Sequence, residues 1–135
     1  MRYRQKWQEA DRRKKGVKPV KIAGCGTLSA YRRHLRRGEP VDHWCNLAHN
    51  ADSRRRRAEA RLRRAEAAIA ENTALIRKFA DSGLDASPIV EAARKAVKKA
   101  RAVVPEATAA IAAAQADMDK AQADAAKAKG PSKAA

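Results

Sequence analysis

Aromatic side chains are nearly absent from this chain: Tyr3, Trp7, Tyr31, Trp44 and Phe79 are all that its 135 residues contain. So few rings exclude a broad core, and alanine must supply most of the buried surface. Acidic residues are scarce as well, 15 against 31 lysines and arginines, for a net charge of +16. No apolar run approaches the roughly 18 residues that a membrane-spanning helix needs. Cysteine occurs only at Cys25 and Cys45. With no signal-like apolar stretch, that usage points to a reducing cytoplasm, where a Cys25–Cys45 disulfide is disfavoured. Also missing are a nucleophile–base–acid set, a phosphate-cradling glycine-rich loop and paired carboxylates on a cleft. The expectation is a soluble, intracellular, non-enzymatic protein without a small-molecule substrate.

What the chain has is positive charge, unevenly placed. Residues 1–57 hold 17 basic and 5 acidic residues, a net +12, whereas residues 58–135 hold 14 and 10, a net +4. Charge gathered in this way favours a polyanion, because each neutralised phosphate releases condensed counterions. Nucleic acid stands ahead of an anionic membrane surface, and no membrane partner is expected. DNA is favoured; structured RNA is an alternative that electrostatics alone does not separate from it.

Helix signals divide the chain into four segments. Residues 1–24 read as a basic flexible arm, with a short amphipathic helix before Gly16 and extended chain past Pro19. Residues 25–53 form a head. Thr27 or Ser29 caps a helix ending at Arg37, with Gly38 at its C-terminal cap and Leu28, Tyr31 and Leu35 on one face. After the turn at Glu39-Pro40-Val41, Asp42 caps a second helix that buries Trp44, Cys45 and Ala48. Two short helices joined by a Gly-containing turn make a helix-turn-helix or something close to it.

Residues 54–128 read as an alanine-rich helical hairpin. The steps Ala58, Leu62, Ala65, Ile69, Asn72, Ile76 and Phe79 alternate four and three, a heptad seam with one polar break. Gly83-Leu84 ends that helix, and Ser87-Pro88 starts another. The seam resumes through Val90, Ala93, Val97, Ala100, Val104, Ala107, Ile111, Ala114, Met118, Ala121 and Ala125. Pro105 kinks this helix without changing its phase. Residues 129–135 read as a disordered tail. Pairing the helices about the turn sets residues 54–57 opposite residues 111–114 and brings Asp117, Asp119 and Asp124 beside the start of the long helix. The fold class expected is therefore all-α: a helix-turn-helix-like basic head followed by a long antiparallel α-hairpin or coiled coil. An alanine seam buries little area, so a homo-oligomer or a helical protein partner is expected to add packing.

Three sets of residues carry candidate chemistry. Cys25, His34, Cys45 and His49 form a Cys-x8-His-x10-Cys-x3-His set in which Cys45 and His49 lie one helical turn apart, as a zinc site needs; Asp42 or His43 can replace one member. The alternative is two buried free cysteines with surface histidines. Arg54, Arg57, Arg61 and Arg64 form a guanidinium stripe, with Arg55 and Arg56 completing a run of four arginines, and Arg32, Arg33, Arg36 and Arg37 form a second patch. Guanidinium suits phosphate because its planar fork bonds two oxygens. These residues read as a backbone clamp, or as a solvated face with Glu59 and Glu66 as local partners. Asn46 and Asn50, with His43 and Arg54, are candidates to face base edges in a groove, or are ordinary surface polar residues.

The pattern Cys25-Gly26-Thr27, Ala30-Tyr31-Arg32-Arg33-His34, Arg37-Gly38-Glu39-Pro40 and Cys45 resembles a group of small basic proteins of actinobacteria and their phages. That group shares a Cys-Gly-Thr, a Tyr-x-x-His and a cysteine at a helix start, and is mostly uncharacterised. The resemblance covers residues 22–50 and implies DNA binding and, for several members, a zinc module with a further cysteine three residues before the position of Cys45. Here Asp42 stands at that place, which leaves Asp42 or His49 to complete a zinc site. The order of parts also resembles that of phage small terminase subunits. The location implied is the cytoplasm of a bacterial host or a phage particle. The function expected is nucleic-acid binding through the arginine patches, with the hairpin mediating oligomerisation; the alternative is a phage structural or adaptor protein that uses the hairpin for protein contacts.

Overall fold

A computed structural model describes residues 23–128. The expected basic arm, apart from residues 23–24, and the expected tail lie outside the described residues. Among the described residues there are three helices: α1 (Leu28–Arg37), α2 (His43–Asp81) and α3 (Pro88–Ala128). Helices α2 and α3 run antiparallel as one long hairpin, and α1 packs against the first turns of α2. None of these helices is long and apolar enough to cross a membrane.

Local chemistry sets each helix end. Thr27 Oγ1 accepts from Ala30 N–H at 3.2 Å and so starts α1. Gly38, at φ 65°, ends it, and Glu39 N–H donates to the His34 carbonyl at 3.0 Å. Asp42 Oδ1 accepts from Cys45 N–H at 2.7 Å and starts α2. At the far end Gly83 takes φ 71°, while Leu84 N–H donates to Phe79 and Gly83 N–H to Ala80, both at 3.0 Å. This is a Schellman closure, which satisfies carbonyls the helix leaves open. Ser87 Oγ then accepts from Val90 N–H at 3.3 Å, with Pro88 as the first helical residue of α3. The helix runs unbroken past Pro105, which lies on its exposed side.

The expected seam is the observed one. Every seam position from Ala58 to Phe79 and from Val90 to Ala125 is buried or half-buried. The polar break is resolved within its own helix, because Asn72 Nδ2 donates to the Ala68 carbonyl at 2.8 Å. Alanine dominates the fully enclosed positions, and Val90 and Cys45 are the largest side chains with no exposure. The register matches as well: Arg54 Nη2 meets Asp117 Oδ2 at 2.9 Å, and Arg61 Nη2 meets Glu106 Oε2 at 2.9 Å.

One core expectation needs correction in the head: Trp44 is half-buried, not buried. Leu28, Tyr31 and Leu35 do share one face, lining a common groove, but Leu35 is 58% exposed. The short α1 has one wholly buried residue, Ala30. It therefore covers too little of α2 to hide Leu35, which lies near its C-terminal end.

The approach to α1 is fixed by a close contact. Gly26 adopts φ 81°, and a Cβ there would lie 2.5 Å from the Ala121 carbonyl oxygen and 2.9 Å from Ala125 Cβ. The loop before α1 is thus seated on the backbone of the last turns of α3. In this way the end of the hairpin carries the head.

Candidate metal centre

Four side chains from three parts of the head converge. Cys25 comes from the loop seated on α3, His34 from the middle of α1, Asp42 from the N-cap of α2 and Cys45 from its first turn. One ligand atom from each lies within 4.8 Å of all the others. His34 Nε2 is 3.9 Å from Cys25 Sγ and 3.3 Å from Asp42 Oδ2, which is 3.4 Å from Cys45 Sγ. A tetrahedral zinc with Zn–S near 2.3 Å and Zn–N or Zn–O near 2.0 Å has ligand–ligand edges of about 3.3–3.8 Å. The His34–Asp42 and Asp42–Cys45 spacings fall on those edges and the Cys25–His34 spacing is about 0.1 Å longer, so the cluster can hold a metal ion.

The surroundings suit such an ion. Burial alone would raise the Asp42 pKa. Hydrogen bonds from the Cys25 side chain and from the Cys45 N–H and thiol, with the charge of His34, outweigh burial and bring it down to about 2. Asp42 is therefore an anionic donor at neutral pH. Burial pushes the Cys45 thiol upward, and the neighbouring Asp42 and Cys25 add to this, while the Gly26 N–H opposes it. A metal ion would take the place of that thiol proton. Gly26 N–H donates to Cys45 Sγ at 3.4 Å and already supports charge on sulfur. His34 Nδ1 is buried and makes no hydrogen bond of good geometry, although Glu39 Oε2 is only 3.3 Å away. That contact is an ion-pair approach off the hydrogen-bond line. Were His34 to hold a metal through Nε2, its Nδ1–H would donate to Glu39 after a small turn of that carboxylate.

The donor set differs from the expected one at a single member. His49 is absent from the group; its ring is stacked on Tyr31, centroids 4.1 Å apart and 3° from parallel. A full turn beyond Cys45 carries His49 about 6 Å along α2, where it meets α1 and not the loop. Asp42, three residues before Cys45, stays at the helix start. His43 packs edge-on against Trp44, with ring centroids 5.1 Å apart.

The arginines separate into held and free ones. Arg33 Nη1 donates to the Ala23 carbonyl at 2.6 Å, and Arg37 lies 3.8 Å from Glu39. Arg54 and Arg61 bridge to α3, as described above. Arg55 and Arg56 both reach the buried carboxylate of Asp52, at 2.9 and 2.8 Å. Three of the four consecutive arginines thus have acidic partners within the fold; the run itself contains no acid, but Asp52 lies about one helical turn before Arg55 and Arg56. Arg32, Arg36, Arg57, Arg63 and Arg64 are exposed with no acidic partner among the described residues. The Arg56-Arg57 and Arg63-Arg64 pairs repeat after seven residues, about 10.5 Å along the axis; Arg56 and Arg63 lie opposite the seam, while Arg57 flanks it and lines a groove with Ala110, Ala113 and Ala114 of α3. Arg63 was missed because the three-four-three count followed the positions that flank the seam. Its signal was the repeated Arg-Arg pair at the heptad interval. Asn46 and Asn50 are both exposed on α2.

No protein-family model, no curated protein and no solved structure matches this chain.

Proposed function

We propose that this chain is a non-enzymatic nucleic-acid-binding protein, with DNA favoured, whose basic head is closed around one zinc ion held by Cys25, His34, Asp42 and Cys45. The observation that carries the reading is the set of exposed guanidiniums without an acidic partner among the described residues, Arg57, Arg63 and Arg64 on α2 and Arg32 and Arg36 on α1. Arginines without internal partners keep their full donor set for phosphate oxygens. In this reading α1, the turn at residues 38–42 and the start of α2 act as a helix-turn-helix-like unit, with Asn46 and Asn50 nearest the bases. Zinc supplies the link between α1 and α2 that the small apolar contact between them does not. The resemblance of residues 22–50 to the actinobacterial and phage group agrees with the same reading.

Replacing Arg57, Arg63 and Arg64 together by alanine tests it. These side chains are exposed, so the fold is expected to persist. Duplex affinity measured by anisotropy should fall by a similar factor for every sequence, because phosphate contacts carry no base information. Unchanged affinity would show that these arginines of α2 do not meet the nucleic acid.

A second reading has its own observation. Leu84 and Ile89, 55% and 54% exposed, form an apolar tip at the hairpin turn, far from the head. Such a tip suits a structural or adaptor role in which the hairpin contacts protein, including a second copy of the chain. The two readings divide on salt, since phosphate binding weakens steeply with ionic strength and an apolar contact does not.

A further inference from the structure

We infer that the groove between α1 and α2 takes an unpaired base of single-stranded nucleic acid; this rests on the nucleic-acid reading above and narrows it. The groove encloses about 250 Å³ and shares no residue with the metal cluster. That is below the roughly 300 Å³ at which pockets for drug-sized ligands begin, and it suits a single planar group. Leu28, Tyr31 and Leu35 line it with apolar surface, Arg32, Ser53 and Arg56 line it with hydrogen-bond donors, and the Asp52 carboxylate at its wall is neutralised by Arg55 and Arg56.

Three features fit a nucleotide. The parallel Tyr31–His49 stack, 4.1 Å between centroids, is a half-exposed aromatic platform that one more flat ring can extend. Leu35, 58% exposed beside it, is an apolar side chain that the fold leaves uncovered. At the edge of the groove Arg32 has no acidic partner among the described residues. Arg56 meets Asp52 through Nε at 2.8 Å, and its side chain is otherwise exposed. Apolar faces joined to an adjacent anion are the chemistry of a base with its phosphate. Bases stacked within a duplex do not offer their faces, so the occupant is single-stranded. Arg56 also belongs to the arginine pairs of α2, so a strand seated here continues onto Arg57, Arg63 and Arg64.

The test removes the base and keeps the phosphates. Full-length, zinc-loaded protein is titrated with a labelled short oligothymidine and with an abasic strand of equal length, and anisotropy is followed at low salt. The oligothymidine should bind about tenfold more tightly. Leu35→Ser, at an exposed position where folding is not at stake, should lower oligothymidine affinity toward the abasic value and leave abasic binding unchanged. Tyr31→Ala should do the same. Equal binding of the two strands by the wild-type protein overturns the base site and leaves the phosphate contacts standing. Tighter oligothymidine binding that Leu35→Ser does not weaken places the base elsewhere and overturns this groove. Binding of neither strand, by a protein that does bind a DNA duplex, overturns the single-stranded base site and leaves the duplex reading standing; binding of neither strand and no duplex overturns both.

Discussion

Cys45→Ala should abolish stoichiometric zinc binding and release α1 from the hairpin, while α2 and α3 remain paired. The expectation follows from how little else holds α1. Its ten residues bury one side chain completely, Ala30, and leave Leu35 more than half exposed. An isolated helix of that length does not persist in water, where roughly 12–15 residues are marginal even for good helix formers. A bound metal would tie His34, on α1, to Asp42 and Cys45 on α2 and to Cys25 in the loop on α3. Structural zinc binds with an apparent free energy of about 10–16 kcal/mol at neutral pH, far more than one buried alanine contributes. Losing a thiolate should lower zinc affinity by at least about 100-fold, since even outer-shell changes cost ~10–100-fold. Far-UV circular dichroism should then lose roughly the signal of α1 alone, and a strong chelator should have the same effect on the wild-type protein. Asp42→Cys gives the opposite sign: it completes a three-cysteine, one-histidine set and should tighten zinc. A chelator-insensitive spectrum, with no zinc retained by the wild-type chain, would remove the metal from the account.

Gly26→Ala is the second large effect, and it acts through a different contact. At φ 81° the backbone favours glycine, and any Cβ would press on the Ala121 carbonyl at 2.5 Å. A helix backbone at that point cannot give way as a flexible side chain would. Conformational strain of about 1–3 kcal/mol adds to the steric cost, so the loop should leave its seat on α3. Because Cys25 and the N–H that supports Cys45 belong to this loop, zinc should be released faster to a chromogenic chelator. Two glycines act as controls. Gly24→Ala meets nothing within 4 Å and should be close to neutral. Gly38→Ala meets open space but sits at φ 65°, so it should carry the conformational strain alone. Equal stability of the Gly26 and Gly38 variants would mean that the loop does not rest on α3.

Much of the fold was legible because it is written in local chemistry. Thr27, Gly38, Asp42, Gly83 and Ser87 act as the caps their residue types predict, each through a neighbour within five residues. The seam was legible because its period survives Pro105 and Asn72, so the antiparallel register, and with it the Arg54–Asp117 contact, followed from counting. The misreadings all depend on neighbours distant in sequence or on helix rotation. His49 has the right spacing from Cys45 for a ligand, but α1 covers it with Tyr31. The four arginines look free in sequence, yet three of them reach Asp52 or Asp117. The demand on Gly26 arises only because the end of α3 passes beneath it, which no spacing within the head reveals.

The central claim is that arginines without internal partners bind a polyanion, and the salt dependence of binding tests it most directly. The zinc-loaded chain would be titrated into a labelled mixed-sequence DNA duplex across a range of salt concentrations. Arg32, Arg36, Arg57, Arg63 and Arg64 each neutralising one phosphate give a slope of log Kobs against log salt near −4.5, at about −0.9 per contact. The slope should be steeper if basic residues in segment 1–22 also engage. A steep slope that falls by about 3 in the Arg57, Arg63 and Arg64 triple variant is the predicted result. A flat slope, or no binding at low salt, would contradict it and move the function to the apolar tip of the hairpin.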